Sequence, residues 1–144
     1  GTTTGAWENS TRPPVDRSGR TGRYLAIMPG DPIRPLTIAL CQFAPRKGDT
    51  AGNLARIGRL CAQAATLEPR PQVVQFPETA LSGYFVEGAV REVACTAGAL
   101  AYDLDDAYRT ACAAAGLDAV PLDIVIGFYE RWRDTLHNSA AYLT

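Results

Sequence analysis

Val73-Val74-Gln75-Phe76-Pro77-Glu78-Thr79-Ala80-Leu81-Ser82-Gly83-Tyr84 is the stretch from which the rest of the 144-residue chain can be read. It opens as a short run of apolar and β-branched residues, which predicts a buried strand over 72–76. Pro77 closes that strand, because it has no N–H to give a central ladder. Glu78 is therefore delivered at the carboxyl end of a strand, the edge of an open α/β sheet at which ligands bind. Phe76 and Leu81 flank it, so an apolar cleft is expected to raise its pKa and suit it to general-base work. The plainer reading is a carboxylate that favours the first turn of a following helix through the helix dipole. A single carboxylate is not a mechanism, and these residues alone do not choose between the two.

Upstream, residues 36–44 read as a buried strand stopped by Pro45, and 46–49 as a turn. Asp49 or Thr50 is a suitable N-cap for a helix running to about 67, with Leu54, Ile57, Cys61 and Ala64 as its apolar stripe. Downstream, 79–96 is an irregular connection with one short helix near Val90. A second helix is expected over 98–115, with Ala101, Leu104, Tyr108, Ala111 and Ala115 inward and Gly116 at C′. Residues 122–129 form a third strand, 131–134 a turn, and 135–143 a fourth strand antiparallel to the third. This β-α-β-α-β-β order is that of a layered α/β unit with its helices on one face of a sheet.

Composition narrows the chemistry. Apolar residues make up 47% of the chain and charged residues 20%, with net charge −1, as in an ordinary globular protein. A charge so near zero offers no electrostatic footprint for nucleic acid, and no apolar run is long enough to suggest a membrane span. Lys47 is the only lysine beside 13 arginines, and His137 the only histidine, which rules out a multi-histidine metal site. Cys41, Cys61, Cys95 and Cys112 form no Cys-x-x-Cys pair and read as small buried hydrophobes in a reducing cytosol. Asp103, Asp105 and Asp106 lack the loop spacing of a calcium site and read as a solvated helix face. Residues 1–35 are rich in Gly, Thr, Ser, Arg and Pro without periodicity and read as a flexible arm. Met28, the only methionine, is taken as the native start, with 1–27 as upstream sequence. Thr144 stops inside an apolar strand, and the chain is expected to be a fragment.

The stretch around Glu78 closely resembles the first catalytic signature of the nitrilase, or carbon–nitrogen hydrolase, superfamily: a hydrophobic strand, Phe-Pro-Glu, then Leu-Ser-Gly-Tyr. The likeness extends to Ile38-Ala39-Leu40-Cys41-Gln42-Phe43-Ala44-Pro45, to Gly48-Asp49 and Asn53-Leu54, and to Ile126-Gly127-Phe128-Tyr129-Glu130 with His137-Asn138-Ser139-Ala140. These motifs fall in the family's order across 36–144, which would be the N-terminal part of the hydrolase domain.

The resemblance implies an α/β fold, the α-β-β-α sandwich, of which about the first half is present. It also implies a Glu-Lys-Cys triad that attacks an amide, carbamoyl or nitrile carbon through a thioester, with no organic cofactor and no metal. Only Glu78 carries over from that triad. The lysine and cysteine would follow Thr144, so the 144-residue chain alone is expected to be inactive. Lys47 reads as a solvated turn lysine, and the four cysteines as core rather than nucleophile. Tyr84 matches a position that lines the substrate pocket in some relatives. Glu130 reads as structural, paired with Arg131 or Arg133. Asn138 is expected to order its strand or the active-site loop through its amide, and His137 to face the other side. The expected partners are a small-molecule amide or nitrile and further copies of the full-length chain, in the cytoplasm, without nucleic acid or membrane. Two alternatives stay open: the glutaminase domain of a glutamine-dependent NAD synthetase, or a non-catalytic interaction module.

Overall fold

Strand β1 (Ile38–Leu40) leads through helix α1 (Thr50–Ala64) to β2 (Val73–Gln75) in the computed structural model, which describes residues 35–144 other than Phe85 and Glu87. A short helix α2 (Val90–Val93) and the longer α3 (Ala97–Ala114) then lead to β3 (Asp123–Trp132) and β4 (Thr135–Leu143). Met28 and all of the expected N-terminal arm but Pro35 lie outside the described residues. The sheet order is β1-β2-β3-β4, with the first three strands parallel and β4 antiparallel to β3. Strands that add in sequence through crossovers of one hand place their helices on the same side. Val74, Ile124, Ile126 and Phe128 accordingly point into one core with Ile57 and Cys61 of α1 and Leu100, Leu104, Tyr108 and Cys112 of α3. The opposite face is open, and Leu36, Ile38, Leu40 and Tyr142 are exposed.

The elements expected from periodicity are present, with shifts that have physical causes. Asp49 is the N-cap of α1, accepting a hydrogen bond from Gly52 N at 2.9 Å. Thr96 caps α3, accepting from Ala99 N. The buried stripe of α1 is Asn53, Ile57, Gly58, Cys61, Ala62 and Ala64. That of α3 is Leu100, Leu104, Tyr108 and Cys112, with the expected Ala101 and Ala111 half-buried at its edge and Ala115 exposed. The reason is close helix contact: a Cβ at Gly58 would lie 2.4 Å from the Ala107 carbonyl oxygen, so the small residues of α1 face α3. β1 is shorter than 36–44, because its one neighbour among the described residues, β2, spans three residues and the ladder ends where Cys41 N donates to Gln75 O. Phe43 instead packs edge-on against Phe76, with centroids 6.2 Å apart. β3 is longer than expected, since Arg133 and Asp134, at φ 45° and 64°, turn the chain in two residues and let the ladder run to Trp132 and Thr135.

Two contacts position the segment that leaves β2. Asn53 is fully buried in α1. Its Oδ1 accepts from Arg46 N at 2.7 Å, and its Nδ2 donates to Arg46 O at 2.7 Å and Leu81 O at 3.0 Å. With Gly48 N donating to Ser82 O at 2.8 Å, this ties the turn after β1 to the loop after β2. On the open face, that loop crosses β3 at Gly127, where a Cβ would lie 2.8 Å from Glu78 Cα and 3.1 Å from Thr79 N. Glycine suits a strand interior where another backbone comes this close.

Asn53→Ala leaves buried N–H and C=O groups unpaired and is expected to destabilise the fold by on the order of 3 kcal/mol, read from the shift of a urea unfolding midpoint. Gly127→Ala is expected to cost about 1–3 kcal/mol in the same assay. It should also displace Glu78, seen as a shift of the Asn138 side-chain amide resonances.

Candidate active site

Phe76 N still donates to Val125 O at 2.8 Å, after which Pro77 ends the ladder and the chain rises onto the open face. Thr79 is buried and sits at φ 49°, a left-handed conformation costly for a β-branched residue. The turn is closed by Ser82 N and Gly83 N, which both donate to Thr79 O, at 3.1 and 2.7 Å. Asn53 beneath Leu81 and Gly127 beneath Glu78 hold this strained turn in place.

The Glu78 carboxylate receives one donor on each oxygen. Asn138 Nδ2 donates to Oε1 at 2.5 Å, and the Tyr84 hydroxyl donates to Oε2 at 2.9 Å. Asn138 comes from β4, where it lies opposite Tyr129 of β3 on the face that also carries Gly127. The hydrogen bond from Asn138, then that from Tyr84, lower the Glu78 pKa from its ordinary value, against a small opposing effect of burial. The same carboxylate raises the Tyr84 phenol. Thr79 Oγ1, buried below, has no partner at full hydrogen-bond geometry among the described residues, although its nearness to the Tyr84 hydroxyl partly offsets that rise.

This corrects the expectation of a raised pKa in an apolar cleft. Phe76 and Leu81 are themselves buried and do not wall the carboxylate, which is exposed and bonded by two donors. Two grooves, one of about 720 Å³ between α1 and α3 and one of about 600 Å³ beside Tyr108 and Tyr142, are not lined by Glu78. What the arrangement supplies chemically is an ionised, oriented proton acceptor at the sheet edge.

The other sequence candidates separate clearly. Lys47 is in the expected turn, whose backbone packs against Gly83: a Cβ there would lie 3.4 Å from Lys47 Cα. All four cysteines are free. Burial raises the Cys41 and Cys95 thiols, and burial together with the neighbouring Cys41 and Cys112 pushes Cys61 up to about 12, the opposite of what a nucleophile needs. Glu130 accepts from the Ser139 hydroxyl at 2.8 Å; its partner is that serine, across the hairpin, rather than Arg131 or Arg133. His137 alternates away from Asn138 and contacts Thr135 Oγ1 at 2.8 Å. Asp105 pairs with Arg109 on the exposed face of α3, and no group among the described residues is arranged to hold a metal ion. Asn53 and Gly127 have roles that the sequence reading missed. The available signals were a polar residue in the apolar stripe of a helix and a glycine inside a strand.

The carbon–nitrogen hydrolase family profile matches residues 37–144. Among solved structures, the chain is similar to a CN-hydrolase superfamily protein of Xanthomonas campestris that carries an arsenic adduct in its active site. The two share 25% identity at a TM-score of 0.57, over 78% of this chain and 37% of that one. It is also similar to a glutamine-dependent NAD+ synthetase of Acinetobacter baumannii, with 25% identity and a TM-score of 0.50, over 74% of this chain and 18% of that one. An N-terminal amidase bound to an Asn-Glu-Ala peptide shares the fold at 19% identity and a TM-score of 0.54, over 74% of this chain and 25% of that one. No curated protein matches. The chain thus spans between about a fifth and two fifths of the length of these structures. With its strands, its sheet-edge carboxylate and the family profile in agreement, the chain belongs to the carbon–nitrogen hydrolase family.

Proposed function

We propose that this chain supplies the general base of a thiol hydrolase that cleaves a non-peptide carbon–nitrogen bond in a small amide, carbamoyl compound or nitrile. The observation that carries this reading is the Glu78 carboxylate, fixed at the carboxyl edge of the sheet by donors on both oxygens. In the reaction, Glu78 takes the proton of a cysteine thiol as sulfur attacks the substrate carbon. A lysine ammonium stabilises the oxyanion of the tetrahedral intermediate. For an amide, Glu78 returns the proton to the leaving nitrogen, which departs as ammonia or amine and leaves a thioester. Glu78 then activates the water that hydrolyses the thioester, restoring the thiol and releasing the acid. Lysine and cysteine come from outside residues 1–144, since Lys47 belongs to the wrong turn and the Cys41, Cys61 and Cys95 thiols are raised rather than activated, while Cys112 is buried in the core. Tyr84 lines the substrate side of the site, with its hydroxyl resting on Glu78.

The likeness to a glutamine-dependent NAD+ synthetase favours one narrower reading, a glutaminase domain that releases ammonia from glutamine. An adjoining ATP-dependent synthetase domain would establish it. No described helix is long and apolar enough to cross a membrane, and four free cysteines suit a reducing cytoplasm. Homo-oligomerisation of the full-length protein belongs to the same reading.

The coding sequence that follows the Thr144 codon should encode a lysine and then a cysteine at a strand–helix junction; the absence of both defeats the proposal. In the protein that carries both, Glu78→Gln is expected to lower turnover by roughly 10²–10⁴-fold with the fold intact, whereas residues 1–144 alone should release no ammonia from amides. NMR titration of the Glu78 carboxyl should give a midpoint below the ordinary 4.5. Because the folded-state pKa is the lower one, the stabilisation from its two hydrogen bonds is present at neutral pH and lost as pH falls through that midpoint.

A further inference from the structure

We propose that Asn138 is the positioning residue of this site, the group that fixes the Glu78 carboxylate to the sheet and so sets where and in what state the base meets its proton. The inference rests on Glu78 being that base. Its two donors are not equivalent. Tyr84 lies six residues along the same loop as Glu78. Asn138 lies 60 residues away in sequence, on β4, and is the donor to Glu78 that belongs to the sheet. The carboxylate is therefore tied directly to β4 by this side-chain amide.

The placement of that amide follows from the hairpin. Arg133 and Asp134 turn in two residues, so the ladder sets Asn138 opposite Tyr129, with its side chain on the open face and those of His137 and Ser139 on the other. Glu78 is brought to the same place by its backbone crossing at Gly127. The residue type also fits. The amide donates without carrying charge, so it favours the ionised carboxylate and does not neutralise it as lysine or arginine would. With Oε1 committed to Asn138 and Oε2 to Tyr84, the orientation of the carboxylate is fixed before any thiol approaches, and a proton must arrive at the lone pairs that remain.

The test compares Asn138→Leu, Asn138→Gln and Glu78→Gln in the complete enzyme, by the pH dependence of kcat and KM and by a urea melt. Asn138→Leu is expected to lower kcat about tenfold or more with little change in KM, and to move the acid limb of the profile upward. Asn138→Gln, which keeps a side-chain donor, should recover part of both. In the 144-residue chain, the carboxyl titration of Glu78 should rise in Asn138→Leu whether or not that chain turns over substrate. A fall in kcat with an unmoved acid limb and no recovery in Asn138→Gln would mean that Asn138 serves only β4, and would overturn the proposal. Unchanged kcat in Asn138→Leu would overturn it too. Full activity in Glu78→Gln would instead remove the base itself, a different failure that this comparison identifies separately.

Discussion

The close passage of one backbone over another organises this site. After Pro77 stops the β2 ladder, the chain crosses β3 at Gly127 with no space for a side chain between them. That crossing turns a strand end into a platform. It places Glu78 above the sheet rather than in a solvent loop beyond it, and it brings the carboxylate within reach of a residue from β4. Asn53 holds the far side of the same loop from α1, with both ends of its amide in use. The strain at Thr79 is sustained because the turn is gripped from both directions.

Much of this was legible in the sequence for reasons that can be named. Pro77 after an apolar run, a capping Asp49, Gly116 after an alanine-rich helix and a strand pair around Arg133-Asp134 are local signals, and local signals survive into the structure. The family motifs placed Glu78 in a wider setting than any single carboxylate supports. What was not legible depended on approach distances. The stripe of α1 was read as Leu54, Ile57, Cys61 and Ala64, of which the last three are buried, but Gly58 and Ala62 also face α3 because the helices come so close. The partner of Glu130 was sought among nearby cations, but an antiparallel register brings a serine nine residues away against it. The environment of Glu78 was inferred from its sequence neighbours Phe76 and Leu81, which turn inward; its real neighbours come from loop and strand positions six and 60 residues away.

The electrostatics divide labour between carboxylate and thiols. Burial holds Cys41, Cys95 and above all Cys61 in their protonated form. Two neutral donors hold Glu78 in its ionised form without any cation among them. A carboxylate kept charged by dipoles rather than by an ion pair stays available to a cationic or protonated partner brought against it.

The contact between α1 and α3 has a mechanical consequence. Helices separated by interlocking side chains can slide by changing rotamers, but at Gly58 the main chain of α1 rests directly on Ala107 of α3. No side-chain cushion is there to shear. At this point the two helices meet main chain to main chain behind the sheet, whereas Glu78 is carried by a loop on the opposite face.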